Sequence, residues 1–228
     1  MTQTDCPCIR VPRAALLFAV ATVFVLLLTA CTTDAYEAGE GKYSHLMAEF
    51  GMGHTAAKGE IDHFTTDDGR NLVLTPHAKA GWATTPDSLY RALLYYYDEE
   101  KVTVPFSIAM VHVMNVAVPK AGEKLSKDPL TLTSAWMSGD GQWLNMRLDI
   151  KTGKADDPKA VHNVGLVRES MTDSDYTLRI VHSRNNIPEY FTSTAYVSVP
   201  IGNDMEGKTI IVKASTYDGE KTLTLEAK

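Results

Sequence analysis

The chain has 228 residues, of which 44% are apolar, and its formal net charge is −6. The apolar content excludes a chain that is mainly disordered. The acidic balance argues against a general nucleic-acid binder, because such proteins need a basic surface. The length allows one large domain or two small ones.

The first thirty residues have the pattern of a bacterial lipoprotein signal peptide. Arg10 and Arg13 precede an uncharged apolar run at 14–28, which is short for a permanent membrane span. The run leads into Leu-Thr-Ala-Cys at 28–31, which matches a lipobox. We therefore expect removal of the signal peptide, lipidation of Cys31 and anchoring to a membrane by that lipid.

Residues 31–43, which follow the signal peptide at 1–30, form the predicted tether. They are polar, include two glycines and show no apolar period, as is typical of a flexible segment. Cys6 and Cys8 leave with the signal peptide, and the thiol of Cys31 carries the lipid. We therefore expect the mature chain to fold without a disulfide bond.

Beyond the tether, alternating apolar and polar residues predict an all-β protein. In the clearest case, 143–150, the even-numbered residues are apolar and share one face of a strand. Shorter segments at 176–180 and 195–201 follow the same pattern. The alternation also predicts a strand over 102–110 whose even-numbered residues form a buried face, with Pro105 marking an edge or a bulge.

Three turn signals lie between β-prone segments. Asp-Gly occurs at 68–69 and again at 218–219, and this dipeptide is the strongest short-range signal for a hairpin. Gly-Asp-Gly at 139–141 is the third signal, because glycine and aspartate both favour turns. We predict a tight turn at each position.

The segment 88–97 is compatible with two structures. Leu89, Leu93 and Tyr96 have helical spacing, and a capping residue precedes them. In a strand, the even-numbered residues from 90 to 96 would share one face. The high tyrosine content favours the strand, and the helix stays open as the alternative.

A change in composition at 118–129 predicts a linker between two domains. This segment is polar, rich in lysine and bounded by prolines. The predicted organisation is therefore a β-domain at 44–117, a linker at 118–129 and a second β-domain at 130–228. Because small domains bury a lower share of their surface, we expect the two to pack on each other.

Several motifs resemble one known family. These are FTTDDG at 64–69, SLYRAL at 88–93, DPLTLTSAW at 128–136, WLNMRL at 143–148 and PEY at 188–190. Together with the lipoprotein signal, they resemble the NigD-like lipoproteins of Bacteroidales over nearly the whole mature chain. The stretch that ends at Trp136 is the most specific part.

The resemblance implies an OB-like barrel at the N-terminus and an antiparallel β-sandwich at the C-terminus. Together with the lipobox, it leads us to expect a protein anchored to the outer membrane by its lipid. It also implies a role in bacteriocin immunity, which has been supposed for the family, and it supplies no catalytic or ligand-binding residues. We therefore predict a binding or interaction module that is not an enzyme. The alternatives are an accessory subunit of an outer-membrane complex, a glycan-binding lipoprotein and, third, an enzyme with a scattered site.

The sequence motifs predict no catalytic residues, no metal site and no cofactor. There is no Gly-x-Ser-x-Gly motif, and the seven histidines include no His-x-His or His-Glu-x-x-His spacing. Tyr95, Tyr96 and Tyr97 are the candidate ligand contacts, because a strand sends at least one of them to each face and OB-type barrels bind ligands with exposed aromatics. The expected partner is an envelope protein or a glycan, and not a nucleic acid.

Overall fold

The computed structural model describes residues 45–99, 102–120 and 122–226. The predictions for the signal peptide, for Cys31 and for the tether concern residues outside these ranges. Every regular element in the described ranges is a β-strand, which confirms the all-β prediction. Within the same ranges, no helix is long and apolar enough to cross a membrane.

Five strands build the N-terminal half: β1 (Leu46–Ala57), β2 (Glu60–Thr66), β3 (Asn71–Lys79), β4 (Leu89–Glu99) and β5 (Val102–Met110). They form a closed barrel in the order β1-β2-β3-β5-β4, as predicted for an OB-like domain. β1 pairs antiparallel with both β2 and β4, and a parallel contact between β3 and β5 closes the barrel.

Nine strands build the C-terminal half: β6 (His112–Val113), β7 (Val116–Ala117), β8 (Thr131–Met137), β9 (Trp143–Thr152), β10 (Asn163–Met171), β11 (Asp175–Ser183), β12 (Phe191–Pro200), β13 (Thr209–Thr216) and β14 (Gly219–Glu226). They form a sandwich of a five-stranded sheet, β14-β13-β11-β10-β7, and a four-stranded sheet, β6-β12-β9-β8. Most neighbours are antiparallel, as predicted. β11 and β13 run parallel, because the chain visits the other sheet as β12 between them.

The segment that is compatible with a helix or a strand is the strand β4. Ala92, Leu94 and Tyr96 point into the barrel and are completely buried, as the strand interpretation predicts. Phe64 on β2 and Leu74 on β3 complete the centre of the same apolar cluster. The barrel interior is therefore filled by side chains.

The predicted buried face of β5 is wrong. Phe106 and Met110 are 48% and 43% exposed, whereas Thr103 is buried. The pairing between β4 and β5 shifts register opposite Tyr95 and Tyr96, which leaves Phe106 as an extra residue in β5. A bulge of this kind reverses the side-chain alternation, so the apolar residues of β5 no longer share the inner face.

The predicted strands of the sandwich are confirmed, and they supply its core. The segments 143–150 and 176–180 lie in β9 and β11, and all but the last residue of the segment 195–201 lies in β12. Leu144, Met146 and Leu148 line the core from β9, with exposures of 1% or less. The largest apolar cluster of the described chain therefore lies between the two sheets of this domain.

The change from barrel to sandwich comes earlier than the predicted domain end at residue 117. The barrel strand β5 ends at Met110, and the short strands β6 and β7 pair with β12 and β10 of the sandwich. The strands with which β6 and β7 pair come much later in the chain. The local sequence of residues 112–117 therefore does not show that this segment belongs to the sandwich. The described part of the predicted linker contains no strand, and Lys127 forms an isolated bridge with His182.

The predicted turns all lie between paired strands. Gly69 joins β2 to β3 and Gly219 begins β14 after the turn from β13, with φ angles of 85° and 113°. These left-handed conformations favour glycine because it lacks a Cβ atom. The turn at 139–141 joins β8 to β9, as predicted.

The barrel and the sandwich form one compact unit, and a buried polar cluster joins them. At its centre is Arg91 of β4, whose side chain is only 1% exposed. The guanidinium donates two hydrogen bonds to the carboxylate of Asp67, one of them at 2.7 Å. It also donates to Asn145 Oδ1 at 2.9 Å and to Ser198 Oγ at 3.0 Å, and both of these residues belong to the sandwich.

The members of this interdomain cluster also bond to one another. Ser198 Oγ donates to Asn145 Oδ1 at 2.6 Å, and Asn145 Nδ2 donates to Asp67 Oδ2 at 3.2 Å. The Arg91 guanidinium lies 4.7 Å from the ring centre of Trp143, in a cation–π contact. Because each buried polar group has several directional partners, the cluster holds the two domains in one relative orientation.

Candidate functional site

The sandwich is open at one edge, where its two sheets end in very short strands. β6 pairs with β12 only at Val197 and Ser198. β7 pairs with β10 only at Leu166 and Val167. The remaining length of this edge on each sheet has no further strand beside it among the described residues. A crevice between the sheets opens there.

The crevice has a volume of about 420 Å³ and a largely apolar lining. Leu148 and Ile150 of β9 form its floor together with Val197 of β12, and the segment 112–114 borders it. Val164 of β10 contributes from the opposite sheet. Its volume falls within the range of pockets that hold small ligands or single large side chains.

The part of β12 beside the crevice has a free edge. Residues 191–196 pair with β9 on one side, and no described strand pairs with them on the other. Phe191 is 61% exposed and lies on the same face of β12 as Ala195, since side chains alternate along a strand. The free backbone edge and the apolar crevice are therefore adjacent.

A chain of hydrogen bonds holds two histidines beside the crevice, and one of them, His162, contributes to its lining. His182 Nδ1 lies 3.2 and 3.1 Å from the carbonyl oxygens of Asp128 and Pro129, so it donates a proton there. With His182 neutral, its Nε2 accepts the Nδ1 proton of His162 over 3.0 Å. His162 Nε2 in turn accepts from the hydroxyl of Thr152 at 3.1 Å.

Burial lowers the pKa of His162, and the nearby His182 and Arg184 lower it further, whereas Glu189 opposes them. The native state therefore binds a proton less readily at His162 than the unfolded chain does. The neutral ring is consistent with the hydrogen-bond chain, in which His162 donates from one nitrogen and accepts at the other. The neutral His162 ring is therefore an uncharged polar group at the rim of the crevice.

Acidification should weaken the fold through His162. Since its native pKa lies below the ordinary value of 6.5, its contribution is complete above that pH and is lost as the pH falls through the native pKa. We expect the free energy of unfolding to fall as the pH is lowered from about 6.5 through the native pKa of His162, and to fall less in His162→Gln. Urea unfolding measures both, with the exposed His77→Gln as control. Equal pH dependence in His162→Gln and wild type would contradict this account.

The structure separates the three predicted ligand-contact tyrosines. Tyr96 is completely buried in the barrel, where its hydroxyl accepts a hydrogen bond from Arg70 at 3.4 Å. It cannot contact a surface ligand, so this part of the prediction is wrong. Tyr95 and Tyr97 point outward and are half-buried, and the ring of Tyr97 packs edge-on against Phe106. Ligand contact by these two residues stays a prediction.

The barrel brings together a histidine and carboxylate group that the sequence patterns did not reveal. His54 and His63 lie on either side of Asp62, with one ligand atom of each within 4.8 Å of the others. Burial raises the pKa of Asp62, but hydrogen bonds from both histidines outweigh it and lower that pKa to about 2. The prediction of no metal site rested on the spacing of histidines along the sequence. That spacing does not show that a bulge in β2 brings Asp62 and His63 to the same face of the strand.

The two halves define an all-β protein with an OB-like barrel and a β-sandwich in fixed orientation. Residues 113–227, half of the chain, match the family model described as the NigD-like C-terminal beta sandwich domain. The chain therefore belongs to the NigD-like family, which confirms the predicted resemblance. The match begins at β6, in agreement with the domain boundary in the structure.

Solved structures from Bacteroides and Parabacteroides species share the fold. A protein from Bacteroides caccae named as a NigD-like immunity protein is 23% identical, with 78% of this chain and 91% of that chain covered and a TM-score of 0.58. A protein from Parabacteroides distasonis, named as a candidate toxin-related protein, is 17% identical over 79% and 92%, with the same score. A candidate lipoprotein from Bacteroides fragilis is 16% identical over 80% and 98%, again at 0.58. Among curated proteins, none matches the chain.

Proposed function

We propose that this protein is a lipid-anchored envelope protein that binds an extended segment of another protein, and that the binding confers immunity to a bacteriocin. The observation that carries the proposal is the free edge of β12 beside the apolar crevice. The protein acts as a non-enzymatic interaction module. Cys31 supplies the lipid anchor, which holds the module at the outer membrane.

The free edge supplies main-chain affinity for a partner strand. An extended segment that lies beside residues 191–196 would form backbone hydrogen bonds along β12, as in other complexes that add a strand to a sheet. Because side chains alternate along an added strand, every second residue would face the inner side of the sheet. There the crevice offers an apolar site that selects a large apolar side chain.

The interdomain cluster supports this role by presenting the edge in a fixed geometry. Ser198 of β12 bonds to Arg91 of the barrel, so the strand that offers the free edge is joined to both domains. A preformed edge does not have to be ordered when the partner binds, which reduces the entropic cost of association. The tether then allows the rigid unit to reach partners near the membrane.

The names of structural relatives support the biological part of the proposal. One is named as an immunity protein, one as a candidate toxin-related protein and one as a candidate lipoprotein. An anchored module that captures a segment of an incoming toxin accounts for all three. The competing function, an accessory subunit of an outer-membrane complex, would use the same edge for a resident partner.

Gene deletion followed by complementation tests the proposal. Cells without the gene should become sensitive to at least one bacteriocin from their own or a neighbouring strain, and the wild-type gene should restore resistance. Ala195→Phe fills the crevice and should weaken binding by about tenfold or more, so this allele should not restore resistance. Cys31→Ser should also fail, because the protein then leaves the membrane fraction.

The control is Val73→Phe, which adds a comparable apolar group at a position of the barrel that is 59% exposed. This allele should protect like the wild type. Unchanged sensitivity of the deletion strain to every bacteriocin tested from its own and neighbouring strains would reject immunity. If crosslinking in cells that carry the wild-type gene instead recovers one fixed membrane partner, and Ala195→Phe abolishes that crosslink, the accessory-subunit function is correct.

A further inference from the structure

A second site lies on the outer surface of the barrel, away from the crevice. His54 on β1 and His63 on β2 are cross-strand partners. Asp62 lies between them in space, and its two oxygens contact one histidine each. We propose that His54, Asp62 and His63 bind a divalent transition-metal ion of the zinc type.

A bulge in β2 creates this group. In a regular strand, Asp62 and His63 would point to opposite faces. Here Ile61 and Phe64 are both completely buried, so the two residues between them both point outward. The pairing of β2 with β3 shifts register between Ile61 and His63, as expected for a bulge. Bulges often serve to redirect a functional side chain in this way.

The donor atoms already converge. His54 Nδ1 lies 2.8 Å from Asp62 Oδ1, and His63 Nδ1 lies 2.9 Å from Asp62 Oδ2. Ligands of a tetrahedral zinc ion lie about 2.0–2.1 Å from the metal, so neighbouring donors are roughly 3.3 Å apart. The two contacts with Asp62 therefore need to open by a few tenths of an ångström. The ligand atoms of the three residues already lie within 4.8 Å of one another, so small side-chain rotations would bring both histidines and one carboxylate oxygen onto the ion.

A neighbouring carboxylate orients one of the histidines. Asp87 Oδ1 lies 3.1 Å from His54 Nε2, the ring nitrogen that would not contact the metal. Carboxylates in this position fix the ring and increase the basicity of metal-binding histidines. Asp87 is itself held by a hydrogen bond from its backbone N–H to the carbonyl of Thr55 at 2.8 Å. Thr55 is completely buried, which anchors the loop.

The kind of donor selects the kind of metal. Two imidazole nitrogens and one carboxylate suit zinc and its neighbours, whereas magnesium and calcium prefer oxygen ligands alone. Three protein ligands leave a fourth position for water or for an atom of a partner, as in open zinc sites. The His63 side chain is 56% exposed, so this position faces solvent.

Calorimetric titration of the full chain with Zn²⁺ tests the proposal. We expect one ion to bind, and we expect His54→Ala and His63→Ala each to weaken its affinity by about 100-fold, at the upper end of the losses caused by changes around metal sites. Asp87→Asn should cause a smaller loss of about tenfold, because it removes only an orienting contact. Since His63 is more than half exposed, its replacement should leave the fold intact, which circular dichroism checks.

The matched control is His112→Ala, which removes an exposed histidine of the sandwich and should leave Zn²⁺ affinity unchanged. A second readout is the unfolding temperature, which Zn²⁺ should raise in the wild type but not in His63→Ala. If the wild type does not bind Zn²⁺, the proposal is rejected. It is also rejected if His54→Ala and His63→Ala bind the ion as tightly as the wild type does.

Discussion

Replacement of Asp67 by alanine is expected to lower the free energy of unfolding by about 3–5 kcal/mol. Among the described residues, Asp67 is the only carboxylate that forms an ion pair with Arg91. It accepts two hydrogen bonds from that guanidinium. Its removal leaves the charge of Arg91 buried at the domain interface without a counter-ion. Urea unfolding of wild type and variant at neutral pH measures the difference.

The matched control for Asp67→Ala is Asp68→Ala, in the same turn. Asp68 is 55% exposed and forms its ion pair with Arg70 at the surface, so its loss should cost less than about 1 kcal/mol. The double variant Asp67→Ala/Arg91→Met should recover part of the lost stability, because an apolar side chain needs no counter-ion. Equal losses for Asp67→Ala and Asp68→Ala would contradict a buried electrostatic connection between the domains.

The second large effect is expected at Gly51 of β1. A Cβ atom at this position would lie 2.2 Å from the carbonyl oxygen of Thr65 and 2.5 Å from Cε1 of Phe64. Neither neighbour can move freely, since one is strand backbone and the other is a fully buried ring. Gly51→Ala should therefore lower the free energy of unfolding by about 3 kcal/mol, measured by denaturant unfolding.

Gly81→Ala provides the comparison, because no atom lies within 4 Å of the added methyl group and the residue is exposed. This substitution should be neutral or slightly stabilising, since alanine restricts the unfolded chain more than glycine does. A destabilisation of similar size at both glycines would show that steric exclusion inside the barrel is not the cause.

The architecture was largely predictable from sequence because side-chain alternation is a local property. The strand β9 shows a regular period of two, and its apolar face forms the core of the sandwich. The turns at 68–69 and 218–219 were predictable for the same reason, since the Asp-Gly dipeptide determines its own backbone conformation. The resemblance to the family also predicted that a barrel precedes a sandwich in the chain.

The candidate sites were not predictable in the same way, because they depend on pairing between distant strands. The crevice exists because β6 and β7 are shorter than the strands they accompany. The group around Asp62 depends on a bulge, which shifts two successive residues to one face. Tyr96 illustrates the converse: three consecutive tyrosines suggest a binding surface, but the barrel buries the central one completely.

The interdomain cluster was missed for a related reason. Arg91 alternates with buried neighbours on β4, which is the pattern of an outward-facing residue in contact with water. The alternation along β4 correctly predicts that the Arg91 side chain points out of the barrel. The outer face of the barrel is covered at this point by the sandwich, and no local pattern reports that contact. Asn145 and Ser198 likewise occupy polar positions whose burial follows from domain packing.

The long sequence separation within this cluster has a consequence for the order of assembly. Arg91 and Ser198 are 107 positions apart, and β12 lies near the C-terminal end. The barrel strands precede the sandwich strands in the chain, and two of the three polar partners of Arg91, Asn145 and Ser198, belong to the later domain. Until the sandwich packs on the barrel, water solvates the Arg91 guanidinium, so we expect its desolvation to be a late step of folding. A chain truncated before β12 lacks Ser198, so the desolvation of Arg91 stays incomplete. We therefore expect the interface between its two domains to stay open and accessible to proteases.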